Sequence, residues 1–447
     1  MRRVNPLLDA LRTARRPLAA SEIGAALAVS QPVVSRAIAA AGDAIVRLGR
    51  ARAARYALAR TLPGFGARWP LATVDADGRV RGAGVMSALA PRGTHVDGAP
   101  LPAVGDGDLP WFLADAAPAG FLGQAFARRH GAALGAPAEL AYWREDHVLA
   151  ALLAAGADLP GAWLVGDAAR ERVQRRQLSP PSALSTTQRG ERYAELAARA
   201  LADDAGPVLL AGEQPKFGAL VEDASGVRHV LVKFSEAANT PAKRRWLDLL
   251  LAEHHALAVL GEHGVAAAAT ELVPSGERLC LEVARFDRVG AHGRRHVVSL
   301  GALDDALYGR RDDWRAAADR LLRDRWIDAD GRRTLHRLYW FGALIANTDM
   351  HFGNASFFVA GAAPFAPAPA YDMLPMLYRP AFGGELVPRT FVPALPPPDA
   401  RDEWAWAVPA ALALWQRIAD DARVSLPFRK IATENHARVA EAGARFG

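Results

Sequence analysis

Near the N-terminus, apolar positions recur at helical spacing and then form two short strand-like runs, a pattern that predicts two short helices followed by a hairpin. Ser21 is expected to cap the first helix, which ends near Leu27, and Gly42 to end the second. The strand-like segments that follow are residues 45–48 and 55–58. Two helices joined by a tight turn and followed by a hairpin are typical of a winged helix-turn-helix, which places its second helix in the major groove of DNA.

Residues 1–60 are therefore expected to form a separate DNA-binding domain. The candidate DNA contacts are polar residues of the second helix and arginines of the hairpin, which suit phosphate groups. They are Gln31, Ser35, Arg36, Arg47, Arg50 and Arg52. The alternative is a helical dimerisation or protein-docking module with a solvated arginine face.

The pattern changes twice before residue 205. Residues 59–110 predict a small β-rich unit, because Gly, Pro and Asp separate short apolar runs and Asp77-Gly78 is a hairpin signal. Apolar positions then recur at helical spacing over residues 140–153 and 190–201. No pattern in this part of the chain indicates chemistry.

A strand further along the chain ends in a lysine. The segment from His229 to Phe234 is apolar at its centre and carries Lys233 near its end, where burial of a lone ammonium group is costly. Glu253 lies on the next predicted helix, residues 243–260, and is a candidate partner. The plainer interpretation is a lysine that reaches water at the strand end and a glutamate on a solvated helix face.

The most informative stretch runs from Asn347 to Asp372. Asp349 is followed five residues later by Asn354, and Asp372 comes after a short strand-like excursion. This order is typical of a phosphotransfer site, in which the first Asp accepts the proton of the substrate hydroxyl and the Asn and second Asp hold Mg²⁺ against the ATP phosphates. Taken alone, the stretch is equally compatible with a polar turn that ends a helix.

Composition adds few constraints. The chain has 447 residues, 51% of them hydrophobic and 23% charged, with a formal net charge of +6 that permits nucleic-acid contact without requiring it. Cys280 is the only cysteine, so an intramolecular disulfide is excluded and a reducing, cytoplasmic compartment is expected. We expect neither a signal peptide nor a membrane-spanning segment.

Five motifs carry a resemblance to a known family. In chain order they are AGEQPK, HVLVKFS, ARFDR, IANTDMHFGN and YDM. Together they resemble the HipA family of bacterial toxin kinases, in its YjjJ-like branch with a helix-turn-helix fused at the N-terminus. The resemblance implies an α+β, two-lobed, protein-kinase-like fold, with the N-lobe over residues 61–285 and a helical C-lobe over 286–447. It also implies binding of ATP and Mg²⁺ and phosphorylation of Ser or Thr in a protein such as an aminoacyl-tRNA synthetase.

The resemblance assigns roles by position. Asp349 would be the catalytic base with His351 beside it, and Asn354 and Asp372 the Mg²⁺ ligands. Lys233 would hold the α- and β-phosphates. The other ATP-binding residues would come from three places. The phosphate-covering loop would supply Ala211, Gly212, Glu213, Gln214, Pro215 and Lys216, and the hinge Ala284, Arg285, Phe286 and Asp287. The catalytic loop and the metal-binding segment after it would supply His351, Phe352, Gly353, Asn354, Tyr371 and Asp372.

The chain departs from the family pattern at two places. Some members carry an autophosphorylated Ser just before the phosphate-covering loop, where this chain has Val208-Leu209-Leu210. The hinge acid of the family motif ERFDR is Ala284 here. A nucleotide-sensing transcription regulator with an inactive kinase-like body is therefore the alternative function, and a small-molecule kinase is a weaker one. A homodimer is expected from dimeric binding to palindromic operators, and the need for a separate antitoxin stays open.

Overall fold

The structure is a computed structural model that describes residues 5–98, 109–204, 212–236 and 239–446. In chain order these residues form four parts, each with its own sheet or helix layer. We refer to them as the N-terminal unit, the middle unit, the N-lobe and the C-lobe.

The N-terminal unit packs three helices against a small antiparallel sheet of order β1-β3-β2. Its core is apolar and includes Leu11, Ile23 and Val34. The two hairpin strands have the predicted bounds, and Gly42 ends the second predicted helix. The predicted cap at Ser21 is wrong, because the helix begins at Ala20, two residues before the predicted start, and the Glu22 carboxylate accepts the Ala19 N–H at 2.7 Å. The elements are α1 (Pro6–Ala14), β1 (Leu18–Ala19), α2 (Ala20–Leu27), α3 (Gln31–Ala41), β2 (Ile45–Leu48) and β3 (Arg55–Leu58).

The middle unit is a four-stranded antiparallel sheet of order β6-β5-β4-β7 with three helices. The hairpin predicted at Asp77-Gly78 is present, with Gly78 at φ +85° in the left-handed region where a turn requires glycine. The elements are β4 (Arg68–Val74), β5 (Val80–Ala88), β6 (Thr94–Asp97), α4 (Gly120–His130), α5 (Glu145–Ala155), β7 (Trp163–Val165) and α6 (Asp167–Leu178).

The N-lobe is a second four-stranded antiparallel sheet, of order β10-β11-β9-β8. The helix α7 covers the face that buries Phe217 and Val232, and α8 is the long helix that follows β9. Thr240 caps α8 by accepting the Lys243 N–H. The elements are α7 (Arg189–Leu201), β8 (Lys216–Asp223), β9 (Gly226–Phe234), α8 (Pro241–Glu262), β10 (Thr270–Ser275) and β11 (Arg278–Ala284).

The C-lobe is largely helical. Short strand pairs connect it to the N-lobe, and its two longest helices, α12 and α13, close the described part of the chain. The elements are β12 (Arg288–Val289), β13 (Gly293–Arg294), β14 (Val297–Ser299), α9 (Leu300–Leu307), α10 (Trp314–Arg323), α11 (Ala329–Leu344), β15 (Ser356–Phe358), β16 (Ala366–Pro367), α12 (Arg401–Asp420) and α13 (Leu426–Phe446).

One hydrophobic core joins three of the four parts. It runs from Leu71 and Trp163 in the middle unit, through Leu257 on α8, to Phe341 and Trp415 in the C-lobe. The N-terminal unit has a core of its own. The middle unit is therefore packed as part of the body that contains the two lobes, whereas the N-terminal unit is stabilised by its own side chains.

Among the described helices, no single one is both long and apolar enough to cross a membrane. The bent pair Ala20–Leu27 and Gln31–Ala44 meets the criteria of length and composition only when its two halves are taken together.

Candidate active site

A cavity of about 840 Å³ lies between the N-lobe and the C-lobe. This volume is within the range of sites for small molecules and cofactors. The structure brings together at this cavity residues that the sequence separates by more than 150 positions. The predicted site residues that line it are Gly212, Glu213, Gln214, Pro215, Lys216, Lys233, Asp349, His351, Asn354 and Asp372.

Lys233 has the partner that the sequence suggested. Its Nζ lies 2.6 Å from Glu253 Oε1 on α8 and also pairs with the carboxylate of Asp372. Burial alone would lower the Lys233 pKa, but these two carboxylates outweigh burial and hold the pKa above the usual lysine value. Burial raises the pKa of Glu253, whose side chain is fully enclosed. Lys233 is therefore a charged ammonium fixed in place from two sides.

A second lysine lies beside the first. Lys216 is directly opposite Lys233 in the antiparallel pairing of β8 and β9, and both side chains are buried. Burial lowers the pKa of Lys216 to about 8, with the neighbouring Lys233 acting in the same direction and Asp372 opposing it. The floor of the cavity thus carries one permanently charged lysine and one that can lose its proton.

Hydrogen bonds within the catalytic loop, residues 347–354, hold its backbone in place. The helix α11 stops at Leu344, and the Asn347 side chain then accepts the Asp349 N–H at 3.0 Å. Asn354 Nδ2 donates to the Asp349 carbonyl oxygen at 2.9 Å, which leaves the Asn354 amide oxygen as an acceptor. Asp349 itself is half-buried at the cavity. The loop therefore presents the Asp349 carboxylate with its backbone already bonded on both sides.

His351 is exposed at the same loop. Its Nδ1 accepts the Gly353 N–H at 3.0 Å, so in the neutral ring the proton sits on Nε2. Gly353 does not line the cavity, and neither does Phe352, which is buried in the main core. Of the three consecutive residues 351–353, His351 is the one that lines the cavity.

Tyr371 ties the segment before Asp372 to the catalytic loop. Its hydroxyl donates to the Gly353 carbonyl oxygen at 2.6 Å and lies 2.7 Å from the Ser356 hydroxyl. Burial raises the Tyr371 pKa, so the hydroxyl stays protonated and able to donate. Asp372 follows with φ +53°, a left-handed conformation that costs free energy for a residue with a side chain. This backbone turn directs the Asp372 carboxylate to Lys233.

The donor set suits a magnesium ion that is shared with a nucleotide. Among the described residues, no group of three or more His, Cys, Asp or Glu side chains is arranged to hold a metal by itself. Asn354 and Asp372 offer one amide oxygen and one carboxylate, the oxygen ligands that Mg²⁺ takes when phosphates and water complete its shell. The residues present fit Mg²⁺ bound together with ATP phosphates.

The middle unit reaches the cavity through a contact that the sequence did not indicate. Gly120 begins α4 with φ +59°, and a Cβ at this position would lie 2.5 Å from the Gly212 carbonyl oxygen. The Phe121 N–H donates to the same oxygen at 2.9 Å. A Cβ on Gly212 would in turn overlap the Lys216 ammonium. Glycine at both positions lets α4, the phosphate-covering loop and Lys216 approach closely.

The predicted hinge residues have other partners. Arg285 Nη2 and Arg288 Nη1 donate to the Asp287 carboxylate at 2.9 and 2.6 Å, and all three side chains are buried away from the large cavity. Phe286 packs against Tyr371 with ring centroids 5.5 Å apart, whereas Ala284 pairs with Val230 at the end of β11. The roles of these residues at adenine stay predictions. Ala211 and Val208-Leu209-Leu210 lie outside the described residues.

Further cations line the cavity that sequence reasoning did not select. Lys243 lies in the first turn of α8, and Arg379 and Arg389 come from the irregular segment after Asp372. The sequence offered only a weak signal for the two arginines, since they lie in a proline-rich stretch that follows a predicted metal ligand. Lys243 pairs with Glu236, which also lines the cavity, at 2.7 Å, so Arg379 and Arg389 are the ones of the three that add positive charge to the wall where an anionic ligand would lie.

The predicted DNA contacts share one property. All six side chains are exposed on α3 or on the β2–β3 hairpin. Within the described part of the chain, none of the four arginines forms an ion pair with a carboxylate. The residues are Gln31, Ser35, Arg36, Arg47, Arg50 and Arg52.

Comparison with known proteins places the chain in a family. A family model described as "YjjJ-like toxin, middle domain" matches residues 65–174, and one described as "HipA-like C-terminal domain" matches residues 208–441. Toxin YjjJ of Escherichia coli (strain K12) is 37% identical over 426 residues, which are 94% of this chain and 94% of that protein.

A solved structure shares the fold. HipA of Shewanella oneidensis MR-1, determined as a complex with HipB and operator DNA, covers 84% of this chain and 97% of its own. The TM-score is 0.50 and the sequence identity 15%, so the likeness concerns the fold and confirms the expected kinase-like architecture. One family model spans more than half of the 447 residues, and one relative matches along nearly the whole chain. The chain therefore belongs to the HipA family of toxins, in its YjjJ-like branch.

Proposed function

We propose that this protein is a toxin kinase that transfers the γ-phosphate of ATP to a Ser or Thr hydroxyl of another protein. The observation that carries the proposal is the convergence of Lys233, Asp349, Asn354 and Asp372 on one cavity, with Glu253 buried behind the lysine. Each of these residue types has a part in phosphoryl transfer, and none of the four is missing.

Each side chain has a distinct task. Asp349 accepts the proton of the attacking hydroxyl, for which its carboxylate is half-exposed at the cavity. Lys233 holds phosphate oxygens while Glu253 keeps its ammonium charged and oriented. Asn354 and Asp372 hold the metal. When bound, ATP with Mg²⁺ supplies the phosphoryl group and neutralises its charge.

The test measures phosphate transfer in a bacterial lysate. Wild type and Asp349→Asn are incubated with γ-labelled ATP and lysate proteins, and phosphorylated Ser and Thr sites are read by mass spectrometry. We expect sites with wild type only, since loss of a positioned base reduces transfer by about 10²–10⁴. The control variant is Asp330→Asn, which changes an exposed carboxylate on α11 and should keep full activity.

Two different outcomes would indicate different functions. If both proteins bind Mg-ATP with equal affinity and neither labels anything, the body is a nucleotide sensor and the protein a transcription regulator. If label enters only the small-molecule fraction, the protein is a small-molecule kinase. Failure of wild type to bind Mg-ATP contradicts all three functions.

We also propose that the N-terminal unit binds the promoter of the protein's own gene, as a dimer, in place of a separate antitoxin. The exposed arginines of α3 and the hairpin support this, because they are free of carboxylate partners in the described residues and can meet phosphates. The HipA structure from Shewanella is itself a complex with HipB and operator DNA.

Salt dependence tests this second proposal. Binding to a promoter fragment should weaken with salt, and Arg50→Gln should reduce the slope of log K against log salt by about 1. Arg79→Gln, in the exposed β4–β5 turn, is the control and should keep the wild-type slope. An identical salt slope for the Arg50 variant would contradict the assignment.

A further inference from the structure

A second, smaller cavity lies where the middle unit meets the β8–β9 hairpin of the N-lobe and the turn between β12 and β13. We call it the arginine pocket. Its volume is about 60 Å³, roughly four times what one buried water requires. The charged and polar residues that line it include Asp158, Arg176, Gln177, His229, Arg288 and Arg294.

The buried charges around the arginine pocket do not balance. Arg285 and Arg288 share the two carboxylates available there. Asp158 accepts from Arg285 at 2.8 Å and from Arg288 at 2.7 Å, and Asp287 accepts from the same two arginines at 2.9 and 2.6 Å. Two carboxylates thus neutralise two guanidinium groups. The third buried arginine, Arg294, has no carboxylate of its own among the described residues.

Arg294 is held by a backbone group. Its Nη2 donates to the Ala157 carbonyl oxygen at 2.6 Å, whereas its Nη1 is buried and has no partner in the part of the chain that the structure describes. The residue is 8% exposed. Burial, and then the charge of Arg288, lowers the Arg294 pKa to about 9. An incompletely paired guanidinium in such surroundings costs free energy, and an anion in the pocket would remove that cost.

The remaining wall favours a compact anion over a cation. His229 Nε2 donates to the Ala291 carbonyl oxygen at 3.0 Å, and burial lowers the His229 pKa to about 4, so the ring is neutral at pH 7. Arg176 on α6 adds a second guanidinium near the mouth. Guanidinium groups bind phosphate oxygens through paired, charge-assisted hydrogen bonds. The carboxylate of Asp158 also lines the pocket, but Arg285 and Arg288 already donate to it, and the rest of the charged lining matches one tetrahedral oxyanion.

We propose that the arginine pocket binds a phosphate group, either inorganic phosphate or the phosphate of a small monoester, with Arg294 as its main ligand and Arg176 at the mouth. This site is separate from the large cavity and does not depend on the proposed kinase activity. Its ligand would join the middle unit, through Arg176 on α6, to Arg294 on β13 and the adjoining strand β9 of the main body. Occupancy should therefore stabilise this junction.

The test is thermal unfolding of the full chain at constant ionic strength, with inorganic phosphate, phosphoserine, serine or chloride. We expect Tm to rise with the logarithm of phosphate concentration and not with chloride or serine. A response to phosphoserine as large as that to phosphate identifies a monoester site; a smaller one identifies free phosphate. Arg294→Met should weaken phosphate affinity at least tenfold, and without phosphate it should melt no lower than wild type, because an unpaired buried charge has been removed.

Three further variants show where on the protein the phosphate binds. Arg295→Met, at the exposed neighbouring position, should keep the full phosphate response. Lys216→Met, in the large cavity, should also keep it, which separates the pocket from phosphate binding at the nucleotide site. Arg176→Met, on the half-buried mouth, should weaken the response even if the Arg294 variant does not fold. Equal phosphate responses in wild type and in every arginine-pocket variant, or no response at all, overturn the proposal.

Discussion

Lys216 and Lys233 face each other across β8 and β9, and both are buried. Like charges directly opposed on a sheet repel, and the structure resolves this by treating the two residues differently. Lys233 has Glu253 and Asp372 as direct partners, whereas the pKa of Lys216 falls to about 8. Lys233 therefore stays charged at physiological pH, whereas burial brings the pKa of Lys216 down to about 8.

The first prediction concerns pH and stability. Between pH 8 and about 10.5, Lys216 is protonated in the unfolded chain but largely neutral in the folded one, so the unfolded state binds more protons. Stability should therefore rise with pH in this window, by up to about 3 kcal/mol from this group. Urea unfolding of wild type and Lys216→Met from pH 7 to 10.5 checks it. The wild-type curve should rise relative to that of the variant, and parallel curves would show that Lys216 titrates normally.

The second prediction concerns the buried ion pair. Glu253→Gln leaves the shape of the side chain nearly unchanged but removes the charge that faces Lys233 at 2.6 Å. Because Lys233 keeps Asp372 as a second partner, its charge is not left unpaired, and the free energy of unfolding should fall by about 1.5–3 kcal/mol, the scale of one hydrogen bond to a charged group. Glu222→Gln, at an exposed position on β8, should change it by less than about 0.5 kcal/mol. Chemical denaturation at pH 7 compares the two, and a loss in both variants alike would argue against a special role for the pair.

The third prediction concerns the contact between Gly120 and Gly212. Gly120→Ala should weaken ATP binding about tenfold, because the new methyl group would displace the phosphate-covering loop. Gly135→Ala is the matched control, since Gly135 also has a positive φ, +66°, but open space around its Cβ position. Both variants should lose about 1 kcal/mol of stability from backbone strain, and Gly120→Ala should lose more because its Cβ meets backbone atoms of Gly212. Calorimetric titration with Mg-ATP gives the affinities, and equal affinities in the two variants would show that nucleotide binding does not depend on this contact.

The fourth prediction concerns Tyr371. Tyr371→Phe leaves the Gly353 carbonyl oxygen and the Ser356 hydroxyl without their shared partner, which costs about 1–3 kcal/mol of stability. Phosphate transfer should fall more than ATP affinity, because the hydroxyl holds the catalytic loop and not the nucleotide. Tyr142→Phe changes an exposed hydroxyl and serves as the control. Transfer and affinity that fall in equal proportion would indicate a general loss of folding in place of a positioning effect.

Local patterns were sufficient for the elements that local forces determine. The hairpin at residues 45–58 and the strand that ends at Phe234 lie where alternation and turn residues place them. The partner of Lys233 was also predictable, since a buried lysine requires a carboxylate and the next helix offers Glu253. In each case the interacting partner is near in sequence, or one buried charge requires a partner of opposite charge.

Partners from distant segments escaped prediction for a physical reason. Arg285 and Asp287, whose expected role at adenine stays a prediction, also join an ion network with Asp158, a residue in a stretch without any chemical signal. The close approach of Gly120 to Gly212 depends on how two units pack, and a glycine carries no pattern that reveals it. Side chains that serve a junction between units resemble site residues in sequence, because both need buried charge.

The division of the apolar core sets the order in which the protein can become active during synthesis. The N-terminal unit closes its core with its own first residues, so it can fold as soon as they emerge. The main core also needs Trp415 on α12 and Phe428 on α13. The Ser425 N–H and hydroxyl donate to the carboxylate of Asp248 and so anchor α8, the helix that carries Glu253. A growing chain can therefore fold its N-terminal unit before the cavity between the two lobes is complete. The proposed phosphate-transfer site is thus complete only after α12 and α13 have left the ribosome.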